Sequence, residues 1–109
     1  MPSILVAIAD ADLSESVVGI LELEGYRASE CDPLALHDVE NHHLLIYEVD
    51  MLLYVHKPPP DIADTPVIFL ASLKQEDLNR YFDNIQFENL LVKPFAIEAL
   101  LESIQSLLY

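Results

Sequence analysis

The chain has 109 residues, which is enough for one folded domain and too few for two. Hydrophobic residues make up 52% of it, a share that argues against intrinsic disorder. Its 19 acidic and 5 basic residues give a formal net charge of −14. So strong an acidic excess argues against nucleic acid and against an anionic membrane surface as partners. We therefore expect one domain over residues 1–109 whose partners are proteins.

The cysteine content and the hydropathy of the chain indicate the cellular compartment in which it works. Cys31 is the only cysteine, so no intramolecular disulfide can form, as is usual in a reducing compartment. The first apolar run, residues 4–9, is too short for a secretory signal and has no basic segment before it. No apolar run approaches the 18 residues or so that a membrane span needs. These features predict a cytoplasmic protein.

Apolar runs typical of buried strands alternate along the chain with segments of helical periodicity. Asp12 and Glu15 form a pair resembling a capping box at the start of the first helix, and Gly25 is placed to stop it. The segment 57–66 contains three adjacent prolines and is predicted to be a loop. The predicted strands are residues 4–9, 26–31, 43–47, 66–70 and 90–92, and the predicted helices are residues 12–24, 33–39, 50–56, 75–82 and 97–108.

Strands that alternate with helices at these lengths indicate parallel βαβ units with right-handed crossovers. The sequence therefore predicts an α/β fold in which a doubly wound parallel sheet lies between two layers of helices. Ligands of such folds bind at the carboxyl ends of the strands, so we expect the functional residues there.

With these elements in place, the chain resembles the receiver domain of two-component response regulators over essentially its full length. The resemblance rests on residues 4–7 before a helix that ends in 23–26, on residues 43–47, on residues 65–70 and on residues 91–95. It implies a flavodoxin-like, five-stranded sheet of order 2-1-3-4-5 with a shortened third helix region. It also implies a role in two-component or phosphorelay signal transduction.

Members of that family move a phosphoryl group from a phosphohistidine to an aspartate, with Mg²⁺ held by an acidic pair. The resemblance places the acidic pair on Ile8 and Ala9, whose side chains carry no oxygen. It places the phosphoacceptor on Glu48, which is one methylene longer than aspartate. We therefore expect neither Mg²⁺ nor any other cofactor.

The remaining positions of the family's site are also altered. The hydroxyl position falls on Ala71 and the switch aromatic on Leu90. Lys93 and Pro94 alone are retained, and the resemblance implies that the bond between them is cis. The chain thus resembles a degenerate receiver whose phosphorylation machinery is dismantled.

Several acidic residues near these positions allow two interpretations. Asp10 and Asp12 either cap the first helix or, if the register slides by two residues, Asp10 is a metal ligand. Glu48 either pairs with Lys93 and holds an active-like state or is a solvated residue at a strand end. Asp50 lies two residues further on and is a possible substitute acceptor.

Other reactive residue types do not form a recognisable site. His42 and His43 are adjacent, so on a regular strand they point to opposite faces and cannot chelate one metal. Cys31 has no catalytic partner at a recognisable spacing and is expected to pack as a small residue. Gly19 and Gly25 are the only glycines, which excludes a glycine-rich phosphate loop. We expect no metal site and no enzymatic activity.

The favoured function is a stand-alone pseudo-receiver that acts by phosphorylation-independent protein–protein interaction. Because the chain ends at Tyr109, directly after the last helix, we expect no attached output domain. A histidine kinase or a downstream signalling protein is the expected partner, and a homodimer is possible. Two alternatives stay open: a single-domain response regulator phosphorylated at Asp50 or Glu48, and a small flavodoxin-like enzyme or cofactor binder.

The surface that receivers commonly use for partners maps to residues 75–82, 90–92 and 96–108. The tract 51–55 is a second candidate contact because it is apolar and replaces a region that receivers build differently. The alternative for the last helix is that its wide apolar stripe packs on the sheet. The residues predicted for the interaction face are Leu78, Tyr81, Phe82, Leu100, Leu101, Ile104 and Leu108.

Overall fold

A computed structural model describes residues 1–62, 64–83 and 85–109. Five parallel strands form one sheet in the order β2-β1-β3-β4-β5, which is the predicted topology. The central strands are continuous apolar runs, as expected of strands covered on both faces. The strands are β1 (Ser3–Ala7), β2 (Arg27–Cys31), β3 (Leu44–Glu48), β4 (Val67–Ala71) and β5 (Leu90–Val92).

Helices cover both faces of the sheet and create two apolar clusters. Side chains alternate along a strand, so Ile4 belongs to the cluster under one layer of helices and Leu5 to the cluster under the other. The helices are α1 (Ala11–Leu23), α2 (Asp50–Val55), α3 (Gln75–Leu78) and α4 (Ile97–Leu108), and a single 3₁₀ turn covers Val39–Asn41. Helices α1 and α4 cover the first cluster, and α2 and α3 cover the second. The predicted three-layer α/β/α architecture is confirmed.

The start of α1 differs from the prediction. Asp10, not Asp12, is the N-cap: its Oδ1 accepts hydrogen bonds from the backbone N–H groups of Asp12 at 3.0 Å and Leu13 at 3.1 Å. Asp12 lies in the first turn, where its charge favours the helix dipole. The predicted end is confirmed, because Gly25 follows the helix with a φ of 90° that residues with side chains rarely adopt.

The predicted helix at 33–39 is absent. Asp32 Oδ1 instead accepts from the backbone N–H of Leu34 at 2.9 Å, and the hydroxyl of Tyr47 donates to the Pro33 carbonyl at 2.8 Å. The bond to Leu34 is one that a helix N-cap also makes, but the bond from Tyr47 occupies the Pro33 carbonyl, which a helix would use in its own ladder. Asp38 then adopts a left-handed conformation that an α-helix excludes.

The predicted helix at 75–82 is reduced to the single turn of α3. Beyond Leu78 the backbone N–H groups of Arg80 and Tyr81 bond three residues back, which tightens the chain into turns. The side-chain amide of Gln75 donates to the Ile85 carbonyl at 3.0 Å, and its oxygen accepts from the backbone N–H of Phe87 at 2.9 Å. Gln75 therefore folds the following segment back over the one-turn helix.

The segment 57–66 has no regular secondary structure among its described residues, as predicted, and Ala63 lies outside them. Within residues 1–62, 64–83 and 85–109, none of the helices has the length and apolarity to cross a membrane.

Candidate functional site

The carboxyl ends of β3, β4 and β5 bring two carboxylates and one ammonium group together. Glu48 is the last residue of β3, Asp50 begins α2, and Lys93 follows β5. The Lys93 ammonium donates hydrogen bonds to Glu48 Oε2 and, at 2.9 Å, to Asp50 Oδ2. Of the two interpretations of Glu48, the structure therefore shows the ion pair with Lys93.

Glu48 is almost completely buried, with 3% of its surface exposed. Its second oxygen, Oε1, accepts from the backbone N–H of Ala9 at 2.8 Å and from that of Asp10 at 3.4 Å. A buried carboxylate is stable only when its oxygens are paired and hydrogen-bonded, and both oxygens of Glu48 meet this condition. Glu48 consequently ties the segment after β1 to the end of β3 and, through Lys93, to the end of β5.

Asp50 has a partner that the sequence analysis did not identify. Ser72 donates its backbone N–H to Asp50 Oδ1 and its hydroxyl to Asp50 Oδ2, each at 2.8 Å. The predicted hydroxyl position, Ala71, is fully buried in β4, and Ser72 is the next residue along the chain. The available signal was a polar residue immediately after a buried strand, at the edge where ligands bind.

The shared hydrogen bonds alter the acidity of two groups in this cluster. Burial by itself raises the pKa of Asp50, but hydrogen bonds from Ser72 and Lys93 outweigh it and lower the pKa overall. Burial by itself lowers the pKa of Lys93, but hydrogen bonds to Glu48 and Asp50 outweigh it and raise the pKa overall. Each group thus holds the other in its charged form.

This set of donors does not fit Mg²⁺. The ion prefers octahedral coordination by oxygen, with carboxylates as its protein ligands. Ile8 is buried and apolar, Ala9 has no side-chain oxygen, and both oxygens of Glu48 are already hydrogen-bonded. In the part of the chain that the structure describes, no group of three or more His, Cys, Asp or Glu is placed to hold a metal ion. Of the other two carboxylates nearby, Asp10 caps α1 and Asp50 is hydrogen-bonded to Ser72 and Lys93.

We call Lys93, Glu48 and Asp50 together the Lys93 cluster, and an open depression of about 720 Å³ lies over it. Its polar lining residues include Glu48, Asp50, Ser72 and Lys93. Apolar side chains of α2 form one wall, and among them the ring of Tyr54 is 81% exposed. The Lys93–Pro94 bond is cis, as the resemblance implies. Leu90, at the position of the family's switch aromatic, is half-buried in β5.

The predicted interaction face needs correction. Leu78, Phe82, Leu100 and Ile104 are buried in the two clusters and offer no surface to a partner. Leu101 and Leu108 are half-buried and pack against the first cluster, so the wide stripe of α4 mainly covers the sheet. Tyr81 alone of the seven is exposed, at 62%. It does not share a buried side with Leu78 and Phe82, because the helix ends before it.

The second candidate contact, residues 51–55, is exposed only in part. Leu52 is buried in the second cluster, whereas Tyr54 and Val55 face solvent. The tract therefore offers a narrow apolar surface beside the Lys93 cluster rather than a continuous one.

The histidines and the cysteine have local partners. His43 Nδ1 accepts from the backbone N–H of Ser3 at 3.0 Å, and His42 Nδ1 lies 2.8 Å from the Asp38 carbonyl. Both histidines precede β3, so strand geometry does not apply to them, but the adjacent pair still contacts different parts of the chain. Burial raises the pKa of the half-buried Cys31 thiol, which leaves it a poor nucleophile at neutral pH.

No family model matches the sequence, and no curated protein matches it. Solved structures do match over nearly the whole chain. The chemotaxis protein CheY4 of Vibrio cholerae superposes with a TM-score of 0.74 at 20% identity, covering 99% of both chains. The fold is that of receiver domains. A response regulator receiver protein from Burkholderia phymatum has the same fold (TM-score 0.73, 19% identity, 99% of this chain and 95% of that one). So does the receiver domain of the Francisella response regulator 1452 (TM-score 0.68, 21% identity, 98% and 96%).

Proposed function

We propose that this chain is an atypical receiver domain of two-component signalling that acts through protein–protein contacts without being phosphorylated. The observation that carries the proposal is the Lys93 ammonium, hydrogen-bonded at once to Glu48 and Asp50. The receiver fold supports a place in two-component signalling. A histidine kinase or a downstream signalling protein is the proposed partner.

Charge is the first reason to propose that phosphorylation is absent. Phosphoryl transfer needs cationic groups to stabilise the negative charge that develops on the phosphoryl oxygens. Here the one ammonium group, Lys93, already faces two carboxylates, so the cluster carries net negative charge. An incoming phosphoryl group would meet repulsion that Mg²⁺ has no ligand set to relieve.

Access is the second reason. Glu48 is buried, and attack by either of its oxygens would break a hydrogen bond to Ala9 or to Lys93. A donor or acceptor left unpaired in a buried site costs about 1–3 kcal/mol, and more for a charged group. We therefore propose that Glu48, held by Ala9 and Lys93, keeps the site in one state.

A second candidate is phosphorylation at Asp50, and one observation favours it. Asp50 is hydrogen-bonded to the hydroxyl of Ser72 and the ammonium of Lys93, and its side chain is 20% exposed at the depression. A hydroxyl and a lysine are the residue types with which the family holds its phosphorylated aspartate. Under this alternative the acceptor has moved two residues along the chain from the position of Glu48.

Intact-mass spectrometry after incubation with acetyl phosphate and Mg²⁺ separates the two candidates. The wild-type chain, Asp50→Asn and Glu48→Gln are compared, with a receiver that does accept phosphoryl groups from acetyl phosphate as the positive control. We expect no adduct on the wild-type chain under conditions that label the control. A single phosphoryl adduct that disappears in Asp50→Asn or in Glu48→Gln would overturn the proposal and identify the acceptor.

We further propose that the domain works in the cytoplasm. A single cysteine, half-buried and unpaired by any disulfide, fits a reducing compartment. The charge of −14 supports a partner with a basic surface, since opposite charge speeds association.

A further inference from the structure

A groove of about 340 Å³ lies between the end of α2 and the turns that follow α3. Neither helix extends over it: α2 ends at Val55, where His56 adopts a left-handed conformation, and α3 ends after one turn. The residues that line the groove are mostly apolar and include the buried Leu52 and Phe82. Tyr81 also borders it and is 62% exposed. We call this surface the α2–α3 groove.

The two layers of helices differ in charge. Residues 51–60 and 72–85, on the layer that carries the groove, include three basic and three acidic residues. Asp50, at the start of α2, is paired with Lys93. On the opposite layer, α1 and α4 together carry five acidic residues and no basic one. An acidic molecule such as a second copy of the chain is therefore repelled less at the α2–α3 groove than at α1 and α4.

Two side chains of opposite charge, Lys57 and Asp83, border the groove, and both are exposed. In the part of the chain that the structure describes, neither forms an ion pair, because the pairs there are those of Lys93 and the one between Lys74 and Glu76. A surface complementary to the groove therefore presents a carboxylate to Lys57, a cation to Asp83 and apolar side chains to the residues between them.

We infer that the α2–α3 groove is the interface of a symmetric homodimer. In a dimer with two-fold symmetry, a residue that contacts a second residue across the interface is contacted by it in the same way from the other copy. Lys57 of each copy then faces Asp83 of the other, and Tyr81 packs between the two charge pairs. The inference goes beyond the proposed function and does not depend on whether the domain is phosphorylated.

Charge complementarity favours a second copy over a partner of one charge sign. A basic partner would meet Lys57 and an acidic one would meet Asp83, and like charges across an interface cost binding free energy. A second copy pairs both groups at once. This interface also differs from the surface predicted at residues 75–82, 90–92 and 96–108, of which only Tyr81 and Phe82 border the groove.

The test is the oligomeric state of the full chain, measured by sedimentation equilibrium up to about 1 mM, a Kd that already corresponds to a weak interface. We expect the average mass to rise from one chain to two as the concentration increases. Lys57→Glu and Asp83→Lys each place like charges opposite one another twice. Each variant alone should therefore raise the dimer Kd at least about tenfold.

An equimolar mixture of the two variants should dimerise again. In the mixed dimer the acid introduced at position 57 faces the lysine introduced at position 83, and the unaltered Asp83 and Lys57 face each other. Arg27→Glu is the matched control, because it changes the net charge as Lys57→Glu does but lies on the edge strand β2, away from the groove. It should leave the Kd nearly unchanged. Circular dichroism checks that all variants are folded, as expected for substitutions of exposed residues.

The inference is overturned if the wild-type chain stays monomeric, which would leave the groove to a different protein. It is also overturned if Arg27→Glu dissociates the dimer as strongly as Lys57→Glu does, or if the mixture of the two variants stays monomeric. Failure of the proposed function is read separately. Phosphoryl labelling of a chain that still dimerises would overturn only the claim that the domain is not phosphorylated.

Discussion

Glu48 Oε1 accepts a hydrogen bond of 2.8 Å from the backbone N–H of Ala9, so the end of β3 is tied directly to the chain that follows β1. In a phosphorylatable receiver this place between the strands belongs to the acidic pair and its metal ion. Here a buried carboxylate occupies it and uses its other oxygen for Lys93. Both oxygens of Glu48 are therefore engaged by hydrogen bonds within the chain.

The Glu48–Lys93 pair should stabilise the fold measurably. Glu48→Gln leaves Lys93 with Asp50 alone and leaves a neutral amide at a buried position. We expect the free energy of unfolding to fall by about 1–3 kcal/mol, because removing one partner of a largely buried ion pair exposes the cost of burying the other. Urea denaturation monitored by circular dichroism measures the change.

Glu76→Gln is the matched control for that variant. Glu76 pairs with Lys74 at 3.9 Å, but both side chains are exposed, so the loss should stay below about 0.5 kcal/mol. If Glu48→Gln destabilises the chain no more than Glu76→Gln does, the buried pair contributes nothing particular to the fold.

The stability contributed by Asp50 should depend on pH at the acidic end. Its pKa is lower in the folded chain than in the unfolded one, because hydrogen bonds from Ser72 and Lys93 outweigh the effect of burial. That stabilisation is therefore complete above the unfolded pKa of about 3.9 and is lost as the pH falls through the folded pKa. The gap in unfolding free energy between the wild-type chain and Asp50→Asn should narrow below about pH 4; a gap that stays constant down to about pH 2 would contradict the assignment.

Lys93 should limit stability at the alkaline end. Its pKa is raised in the folded chain, so its stabilisation is complete below the unfolded pKa of about 10.4 and is lost as the pH rises through the folded pKa. Burial also raises the pKa of Tyr47 to about 12, with the same sign. Tyr47→Phe removes the contribution of Tyr47, and adding Lys93→Met to it isolates Lys93 from other groups with a raised pKa, such as Cys31: the difference in alkaline loss between the single and the double variant belongs to Lys93. An equal alkaline loss in the single and the double variant would contradict the assignment to Lys93.

The fold was largely predictable because its central strands are unbroken apolar runs and the periodicity of α1 and α4 is strong. The failures occurred where side chains compete with the helical ladder. Tyr47 takes the Pro33 carbonyl that a helix at 33–39 needs, and Asp38 adopts a left-handed conformation. Helix propensity depends on the local sequence, so it does not include a hydrogen bond from Tyr47, which lies in β3.

The site was predictable only in its outline. Strand order places Glu48 and Lys93 at one edge of the sheet. Whether Glu48 is buried and whether it pairs with Lys93 depend on side-chain geometry, which the sequence pattern does not predict. Ser72 was not predicted, because the resemblance places the hydroxyl position on Ala71, one residue earlier. The partner face was wrong in part because an amphipathic pattern identifies apolar residues such as Leu100 and Ile104 without showing whether sheet or solvent meets them.

The N-cap of α1 can be tested by a pair of substitutions at one position. Asp10→Ala removes the oxygen that accepts from Asp12 and Leu13 and should lower the free energy of unfolding by about 1 kcal/mol. Asp10→Asn keeps an accepting oxygen and should cost only a few tenths of that amount. Equal losses in both variants would show that the charge of Asp10, and not its capping hydrogen bonds, supports the helix.

Gly19 should be a position where a substitution stabilises the fold. Gly19→Ala is expected to raise the free energy of unfolding by about 0.5–1 kcal/mol, because alanine loses less backbone freedom in a helix and the added methyl group meets open space. Gly25→Ala is the control with the opposite sign, since its φ of 90° strains any side chain. Destabilisation by Gly19→Ala would mean that the glycine serves the fold itself.

The most direct test of a phosphorylation-independent domain is titration of the ¹⁵N-labelled chain with Mg²⁺ and beryllofluoride, a stable analogue of an aspartyl phosphoryl group. The amide signals of Ala9, Ser72 and Lys93 report on the strand ends where that analogue would bind. We predict that they do not shift, because Lys93 and both oxygens of Glu48 are already engaged and no acidic pair is present to hold the metal. Saturable shifts at Ser72 and Lys93 that vanish in Asp50→Asn would contradict the account and show a working acceptor at Asp50.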